Sequence, residues 1–358
     1  YEDKTRDVLD ENGEVTEYSH YRLLTKLKSD VITGYNGSDK ELVVPKTITV
    51  SELELPDEDW EISDSLNLSE GVSVSVDEIA MNAFSDISCT SADIQAEIQE
   101  LPEDVFYNSN VTTVKLPDTL KKINRCAFRY SALTEITIPE NVTTIADHTF
   151  ADCANLTSVS MRDSSVTLID DQAFSGCSAL TTITMPASLK TIGNYAFEKC
   201  DSLDEVIFTG TNLTSIGESA FGYCSALRAI ELPEGLTSIG TNCFYSCNNL
   251  VTVTFPSTLK TIQNSAFENC NQLSAIILPE GVTTVGESAF SQCSYAKELS
   301  LPSTLTSMGK SAFSGCENIQ SVTIPKNITA ISDSAFADCR SLASVKLLSG
   351  VTKIGESA

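Results

Sequence analysis

Histidine and tryptophan are nearly missing from this chain of 358 residues, which contains two His and one Trp. The two histidines, His20 and His148, are far apart in the sequence, so no histidine pair for catalysis or zinc binding is indicated. The motifs G-x-S-x-G, the P-loop and H-E-x-x-H do not occur either. We therefore expect a protein that is not an enzyme, with no catalytic residue, no metal site and no cofactor.

Positive charge is also scarce. The chain has 23 Lys and Arg against 49 Asp and Glu, which gives a formal net charge of −26. Such a surface repels nucleic-acid phosphates and anionic membranes. No apolar run approaches the roughly 20 residues that a transmembrane helix needs. We therefore expect no nucleic-acid partner, no insertion into a membrane and a monomeric protein.

What the chain has in abundance is an internal repeat around a phenylalanine that usually follows alanine. Consecutive copies are 22 to 24 residues apart, at Phe84, Phe106, Phe128, Phe150, Phe174, Phe197, Phe221, Phe244, Phe267, Phe290, Phe313 and Phe336. A chain longer than roughly 300 residues exceeds the usual size of one globular core. The repeat predicts a quasi-one-dimensional array of about 12 stacked units.

One unit shows how the array is built. Residues 227–232 are short, partly alternating and apolar, and they end at Pro233, which is typical of a strand that stops where proline removes a donor. The phrase Ala-Phe-x-x-Cys further along indicates one helical or 3₁₀ turn. Since no unit can bury its apolar side alone, stacking must do so. We predict a parallel β-sheet on the concave side, with short strands and 3₁₀ or helical turns on the convex side.

The repeated phrase L-x-x-I-x-I-P-x-x-V-x-x-I-G-x-x-A-F-x-x-C resembles the BspA-like, Treponema-type leucine-rich repeats of bacterial surface proteins. The resemblance covers roughly residues 66–358, and the phrase VITGYNGSDKELVVP at 31–45 is similar to the opening of such domains. It implies a leucine-rich-repeat solenoid, export to the cell surface or medium with a signal peptide already removed, and adhesion or protein binding.

The chain divides into two predicted regions. Residues 1–65 are expected to form a β-rich cap, with a hairpin turn at Asn12-Gly13, because solenoids need a polar cover over their open core. Residues 66–358 are expected to form the repeat array. The phrase Ile-Gly-Glu-Ser-Ala at 354–358 stops one residue before the expected phenylalanine, which predicts a C-terminal truncation within a repeat.

Nine of the twelve cysteines lie three residues after a repeat phenylalanine: Cys153, Cys177, Cys200, Cys224, Cys247, Cys270, Cys293, Cys316 and Cys339. Three explanations are open. A zinc site needs clustered ligands, which this spacing does not provide. Disulfides along the ladder need Cβ atoms closer than stacked strands place them. A buried thiol that acts as a small hydrophobic group fits best.

An acidic stretch precedes the repeats. From Thr47 to Val114 there are sixteen Asp or Glu and no Lys or Arg, and an acidic patch surrounds Trp60, formed by Asp57, Glu58, Asp59, Glu61 and Asp64. A solvated acidic face is the simplest explanation. Calcium binding and a basic protein partner are alternatives. An EF-hand is excluded, since Ile62 and Leu68 stand where Gly and Glu are needed.

The side chains that flank the central residue of each strand should point away from the core. They predict a binding face that is rich in Thr and Ser and has no aromatic residue: Lys115, Glu135, Thr182, Thr184, Glu205, Ile207, Glu231, Thr252, Thr254, Ile277 and Glu298. Tyr195, Tyr223 and Tyr245 are expected near the phenylalanines on the convex side. We expect a non-enzymatic surface protein that adheres to proteins or other surface ligands. The alternatives are a structural spacer and a glycan-binding accessory module.

Overall fold

The computed structural model describes residues 8–9, 15–16, 31–32, 40–50, 72–76, 78–161 and 163–358. It confirms the predicted fold class, a solenoid of short parallel strands in which each coil holds one repeat. Strands are numbered in chain order. The described residues contain no helix, so the turns that were expected to be helical or 3₁₀ are isolated hydrogen-bonded turns.

The longer strand of each coil lies in the first row of parallel strands. These strands are β4 (Glu41–Val44), β8 (Ser91–Ile94), β10 (Thr113–Lys115), β12 (Glu135–Thr137), β14 (Ser158–Ser160), β16 (Thr182–Met185), β18 (Glu205–Phe208), β20 (Ala229–Glu231), β22 (Thr252–Thr254), β24 (Ala275–Ile277), β26 (Glu298–Ser300), β28 (Ser321–Ile324) and β30 (Ser344–Leu347). Where a repeat has a proline, its strand ends one or two residues before that proline. This end was predicted, because proline has no backbone N–H to donate to a neighbouring strand.

A second row consists of two-residue parallel strands, each ending on a buried residue through most of the array. It contains β3 (Val31–Ile32), β7 (Glu78–Ile79), β9 (Glu100–Leu101), β11 (Lys122–Ile123), β13 (Thr144–Ile145), β15 (Leu168–Ile169), β17 (Thr191–Ile192), β19 (Ser215–Ile216), β21 (Ser238–Ile239), β23 (Thr261–Ile262), β25 (Thr284–Val285), β27 (Ser307–Met308), β29 (Ala330–Ile331) and β31 (Lys353–Ile354).

The N-terminal region contributes strands to both rows. β3 pairs in parallel with β7, and β4 pairs in parallel with β8, so strands within residues 31–44 stack on the repeat array. Two antiparallel pairs stand outside the rows: β1 (Val8–Leu9) with β2 (Val15–Thr16), and β5 (Thr47–Val50) with β6 (Val72–Ser75). The division into a cap at 1–65 and an array at 66–358 stays a prediction.

The core is the stack of equivalent apolar side chains. In the coil that starts at Leu227, the side chains of Leu227, Ile230, Leu236 and Ile239 are all buried. The phenylalanine rings form one column, with centroids of neighbours 5.1 to 5.7 Å apart and planes within 12° of parallel from Phe106 to Phe336. Such stacks add to the free energy gained by burying each ring, which is roughly 1.5–3 kcal/mol.

The turn around each phenylalanine has a regular hydrogen-bond pattern that explains why it is not a helix. The backbone N–H groups of Ser219, Phe221 and Tyr223 donate to carbonyls of the following coil, whereas those of Gly222 and Cys224 donate three residues back. A helix would direct every N–H along its own axis. The alternation requires left-handed backbone at Ser219 (φ 49°) and Tyr223 (φ 62°).

Candidate binding surface

The predicted binding face exists as two regular columns of side chains on the first row of strands. In β20 the burial pattern is exposed, buried, exposed, so Ala229 and Glu231 point to solvent on either side of buried Ile230. We call this surface the strand face. Of the eleven residues predicted for it, Thr184 is half-buried and the other ten are exposed.

Strand register decides which of these residues meet. Thr182 lies opposite Glu205, and Thr184 opposite Ile207. Glu231 lies opposite Thr254. The first and last members, Lys115 and Glu298, are eight coils apart, which corresponds to about 40 Å at the usual strand spacing of roughly 4.8 Å. The strand face therefore cannot act as one pocket for a small molecule, and only an extended ligand could contact it along its length.

The centre of the strand face is its least polar part. Ile207 and Ile277 are 38% and 54% exposed, and Val251, beside the start of β22, is 40% exposed. Small side chains, Ala229 and Ala275, lie in the column next to them. Exposed branched side chains on an otherwise Thr- and Ser-rich surface provide apolar area that a partner could cover. We call Ile207, Val251 and Ile277 the central aliphatic patch.

Charges on neighbouring coils pair in register near the N-terminal end of the array. Lys115 lies 3.6 Å from Asp93, Lys122 3.6 Å from Glu100, and the Arg125 guanidinium 3.1 Å from Glu103. Each pair joins a residue to the equivalent residue one coil further on. Since these groups are largely exposed, each pair contributes little to stability. Together they neutralise three of the four carboxylates at residues 93–103, and Lys46 pairs with the fourth, Glu97.

A polar and aromatic surface lies on the phenylalanine turns, and the sequence pointed only to its members Tyr195, Tyr223 and Tyr245. Tyr107 packs edge-on against Tyr130 with ring centroids 5.6 Å apart, and Tyr223 packs in the same way against Tyr245 at 5.4 Å. In each pair, one tyrosine lies one position after a repeat phenylalanine, and the other lies two positions after the repeat phenylalanine of the adjacent coil. This spacing is visible in the sequence and could have revealed both pairs. Tyr195, expected nearby, donates its hydroxyl hydrogen to Glu218.

The nine repeat cysteines lie in the core, as predicted. Eight are fully buried, Cys339 is half-buried, and none of the nine is in a disulfide. Each thiol also donates a hydrogen bond to the carbonyl of the phenylalanine one coil earlier, as Cys224 does to Phe197 at a sulfur–oxygen distance of 3.2 Å. Burial raises the pKa of Cys153 to about 12. The column is therefore structural, since protonated thiols are poor nucleophiles and metal ligands.

Three other predictions concern the acidic patch, metal binding and insertion into a membrane. The acidic patch of Asp57, Glu58, Asp59, Glu61 and Asp64 lies outside the described residues. Within the described part of the chain, no three His, Cys, Asp or Glu side chains are grouped as metal ligands. No helix able to span a bilayer occurs among the same residues.

The stacked coils, the two rows of parallel strands and the column of buried phenylalanines define a leucine-rich-repeat solenoid. The sequence profile of the BspA type Leucine rich repeat region, in six copies, matches residues 77–167, 150–274 and 261–358. The chain belongs to this family. No curated protein matches it in sequence.

Several solved structures are similar to this chain. A leucine-rich repeat protein from Bacteroides ovatus is 26% identical, with a TM-score of 0.71, 94% of this chain covered and 88% of that one. The pneumococcal vaccine antigen PcpA is 22% identical, with a TM-score of 0.53 and coverage of 93% and 86%. A leucine rich cell surface protein from Faecalibacterium prausnitzii is 24% identical, with a TM-score of 0.49 and coverage of 90% and 92%.

Proposed function

We propose that this protein is a non-enzymatic adhesin of the bacterial surface that binds an extended protein ligand through the strand face. The observation that carries the proposal is the central aliphatic patch. Ile207 and Ile277 stand exposed in the middle of a regular strand surface. BspA-type repeats point to the cell surface, where such a rigid array would present this patch to host proteins.

The geometry favours a macromolecular partner. Strand columns that run about 40 Å fit a standard protein interface better than a small molecule. Glu205 and Glu298 flank the patch, and Glu231 lies within it, between Ile207 and Ile277 along one column. The patch is therefore negatively charged as well as apolar, and a combination of exposed apolar and polar side chains is common in protein-binding sites. A partner with exposed apolar residues bordered by Lys or Arg would be complementary.

The test is binding of the purified chain to immobilised host matrix proteins and mucins, with one substitution inside the patch and one outside it. Ile277→Asp places a charge in the patch and should weaken binding about tenfold or more. Thr137→Asp adds the same charge in the same column, but six coils nearer the N-terminus, and should leave binding nearly unchanged.

Three outcomes would contradict the proposal. Equal losses from both substitutions would indicate a general charge effect, and no loss from Ile277→Asp would place the ligand on another surface. Absence of binding to every matrix protein and mucin would favour a spacer that displays other parts of a longer protein.

A further inference from the structure

A second surface, separate from the strand face, combines aromatic rings with hydrogen-bonding groups. It is an open groove of about 530 Å³ between the phenylalanine turns of three successive coils. Its walls include Asn82, Asp86, Asp104, Tyr107, Arg125 and Arg129. The groove therefore takes groups from residues 82–86, 104–107 and 125–129, which only the stacking of the coils brings together.

The two arginines of the groove are already paired with carboxylates that lie outside its lining. The Arg125 guanidinium donates to Glu103 at 3.1 Å and to Asp147 at 3.0 Å. The guanidinium of Arg129 lies 3.6 Å from a carboxylate oxygen of Asp152. Asp86 and Asp104 also line the groove, so five carboxylates lie near two guanidinium groups and the excess charge is negative. An anionic ligand would be repelled, whereas a neutral polar ligand would neither be repelled nor have to displace an ion pair.

Hydrogen-bonding capacity remains in the groove. Burial, reinforced by the neighbouring Glu103, raises the pKa of Asp104, which means that its carboxylate lacks full solvation. A ligand hydroxyl that donated to this carboxylate would replace the missing solvation. Asn82 occupies the equivalent position one coil earlier and adds an exposed amide beside Asp104. Donors and acceptors thus occur together, as a ligand with several adjacent hydroxyl groups requires.

Tyr107 supplies the aromatic part of the wall, and Tyr130, which lies outside the lining, supports it in an aromatic corner. The Tyr107 and Tyr130 rings are perpendicular, with an interplanar angle of 90°. The Arg129 guanidinium lies 4.7 Å from the centre of the Tyr130 ring, and it donates to the Tyr130 hydroxyl at 3.1 Å. These contacts fix the corner before any ligand binds. A preformed aromatic surface beside a few converging polar groups is the usual composition of a small-ligand site.

We propose that this groove binds one neutral sugar residue of a glycan. The C–H face of the sugar packs against Tyr107, and its hydroxyl groups donate to Asp104 and accept from Asn82 and the arginines. A neutral sugar fits the paired arginines, the unneutralised carboxylates that can accept from its hydroxyl groups, and the aromatic ring of Tyr107 together. Because the groove lies on the turns and not on the strand face, this activity is independent of the protein adhesion proposed above.

The experiment is an NMR titration of the whole chain with the methyl glycosides of glucose, galactose, mannose and N-acetylglucosamine. At least one should bind and shift the amide signals of residues 82–86, 104–107 and 125–129. Asp104→Asn keeps the side-chain shape and removes a charged acceptor, so it should weaken binding about tenfold. Tyr107→Ala should weaken it at least as much, and Tyr107→Phe should retain most of it.

Tyr245→Ala is the matched control. Tyr245 occupies the same position after its repeat phenylalanine and makes the same edge-on contact with a neighbouring tyrosine, but it does not line the groove. It should reduce the melting temperature about as much as Tyr107→Ala and leave sugar binding unchanged. Equal loss of binding in both variants would show that Tyr107 acts only through stability and would overturn its assigned contact.

Other results would overturn the proposal itself. They are the failure of all four methyl glycosides to bind, binding that survives both Asp104→Asn and Tyr107→Ala, and binding of N-acetylneuraminic acid alone, since a carboxylate ligand contradicts the negative charge of the groove. Amide shifts confined to the strand face would place the sugar elsewhere. Ile277→Asp, which tests adhesion, should leave sugar binding unchanged.

Discussion

The thiol of Cys224 has two roles in the core, as a small apolar group and as a hydrogen-bond donor. It is fully buried, and its acceptor, the Phe197 carbonyl, also receives the backbone N–H of Cys200 at 3.2 Å. Two early coils have serine at the equivalent position, Ser109 and Ser131, and the Ser109 hydroxyl donates to the Phe106 carbonyl. A donor at this position is therefore a shared feature, although its acceptor differs between coils.

Two substitutions separate the roles. Cys224→Ala removes the donor and leaves a small cavity, and we expect it to lower the free energy of unfolding by about 1–2 kcal/mol. Cys224→Ser keeps a donor of similar size, so it should cost less. The measurement is urea unfolding followed by circular dichroism. If Cys224→Ser were the more damaging change, the thiol would act only through its apolar character.

Buried thiols also predict loss of stability in alkali. Burial raises the pKa of Cys247 to about 12 and that of half-buried Cys339 to about 11, from ordinary values near 9. The neutral thiols of the folded state therefore contribute stability that is fully present below about pH 9. This contribution is lost as the pH rises through 11 and 12, because only the unfolded chain ionises readily.

The urea midpoint should accordingly fall between pH 8 and pH 10. Cys224→Ser removes one of these thiols, so its midpoint should fall by less over the same interval. Midpoints that do not depend on pH, or that fall equally in both proteins, would mean that the thiols do not cause the effect.

At the scale of an element, the phenylalanine column joins the coils. Phe244 is fully buried, and its ring lies 5.4 Å from that of Phe221 and 5.1 Å from that of Phe267. Phe244→Ala leaves a cavity between two rings that remain fixed by their own coils, so we expect a loss of about 3–5 kcal/mol in denaturant unfolding. Phe244→Leu, which fills most of the space, should lose less. A loss under about 1 kcal/mol for alanine would mean that the column adds little.

The elements differ in how far the sequence predicts them. Strands are predictable because alternation and proline mark where they lie and end, and the core positions of the coil at Leu227 follow from the spacing of apolar residues. The turns are not, because Ser219 and Tyr223 adopt left-handed backbone that neither residue type favours. Hydrogen bonds to the following coil impose that conformation, and they exist only after stacking.

The two candidate sites also differ in how far the sequence predicts them. The strand face follows from alternation within single strands, so its residues could be named from the sequence. The groove takes groups from three coils, and the Cys224 thiol bonds to a carbonyl 27 residues earlier in the chain. Such pairings depend on the register between coils, which composition and short-range spacing do not reveal.

For the whole molecule, stability should vary with position, because each coil contacts only its neighbours. Gly217 and Gly355 occupy equivalent positions and donate equivalent bonds, to the carbonyls of Ile192 at 2.9 Å and Ile331 at 2.8 Å. In a polypeptide that stops at residue 358, the coil of Gly355 is paired on one side only, and its apolar residues Leu347 and Ile354 are 46% and 62% exposed.

Native-state hydrogen exchange of this 358-residue chain should therefore be at least about tenfold faster at Gly355 than at Gly217, because opening the last coil exposes little additional surface. The two amides provide an internal comparison with the same residue type and the same bond. Equal rates at both amides would mean that the array opens only as a single unit.

The in-register ion pairs limit how freely repeats could be exchanged during evolution. Backbone bonding is nearly the same in every coil, so gain or loss of a unit in the middle of the array leaves the hydrogen-bond ladder intact. Loss of residues 106–127 would be different, because it would place Glu103 beside Asp147, where Arg125 now stands between them. Charge therefore disfavours loss of this particular coil, although the hydrogen-bond ladder would accept it.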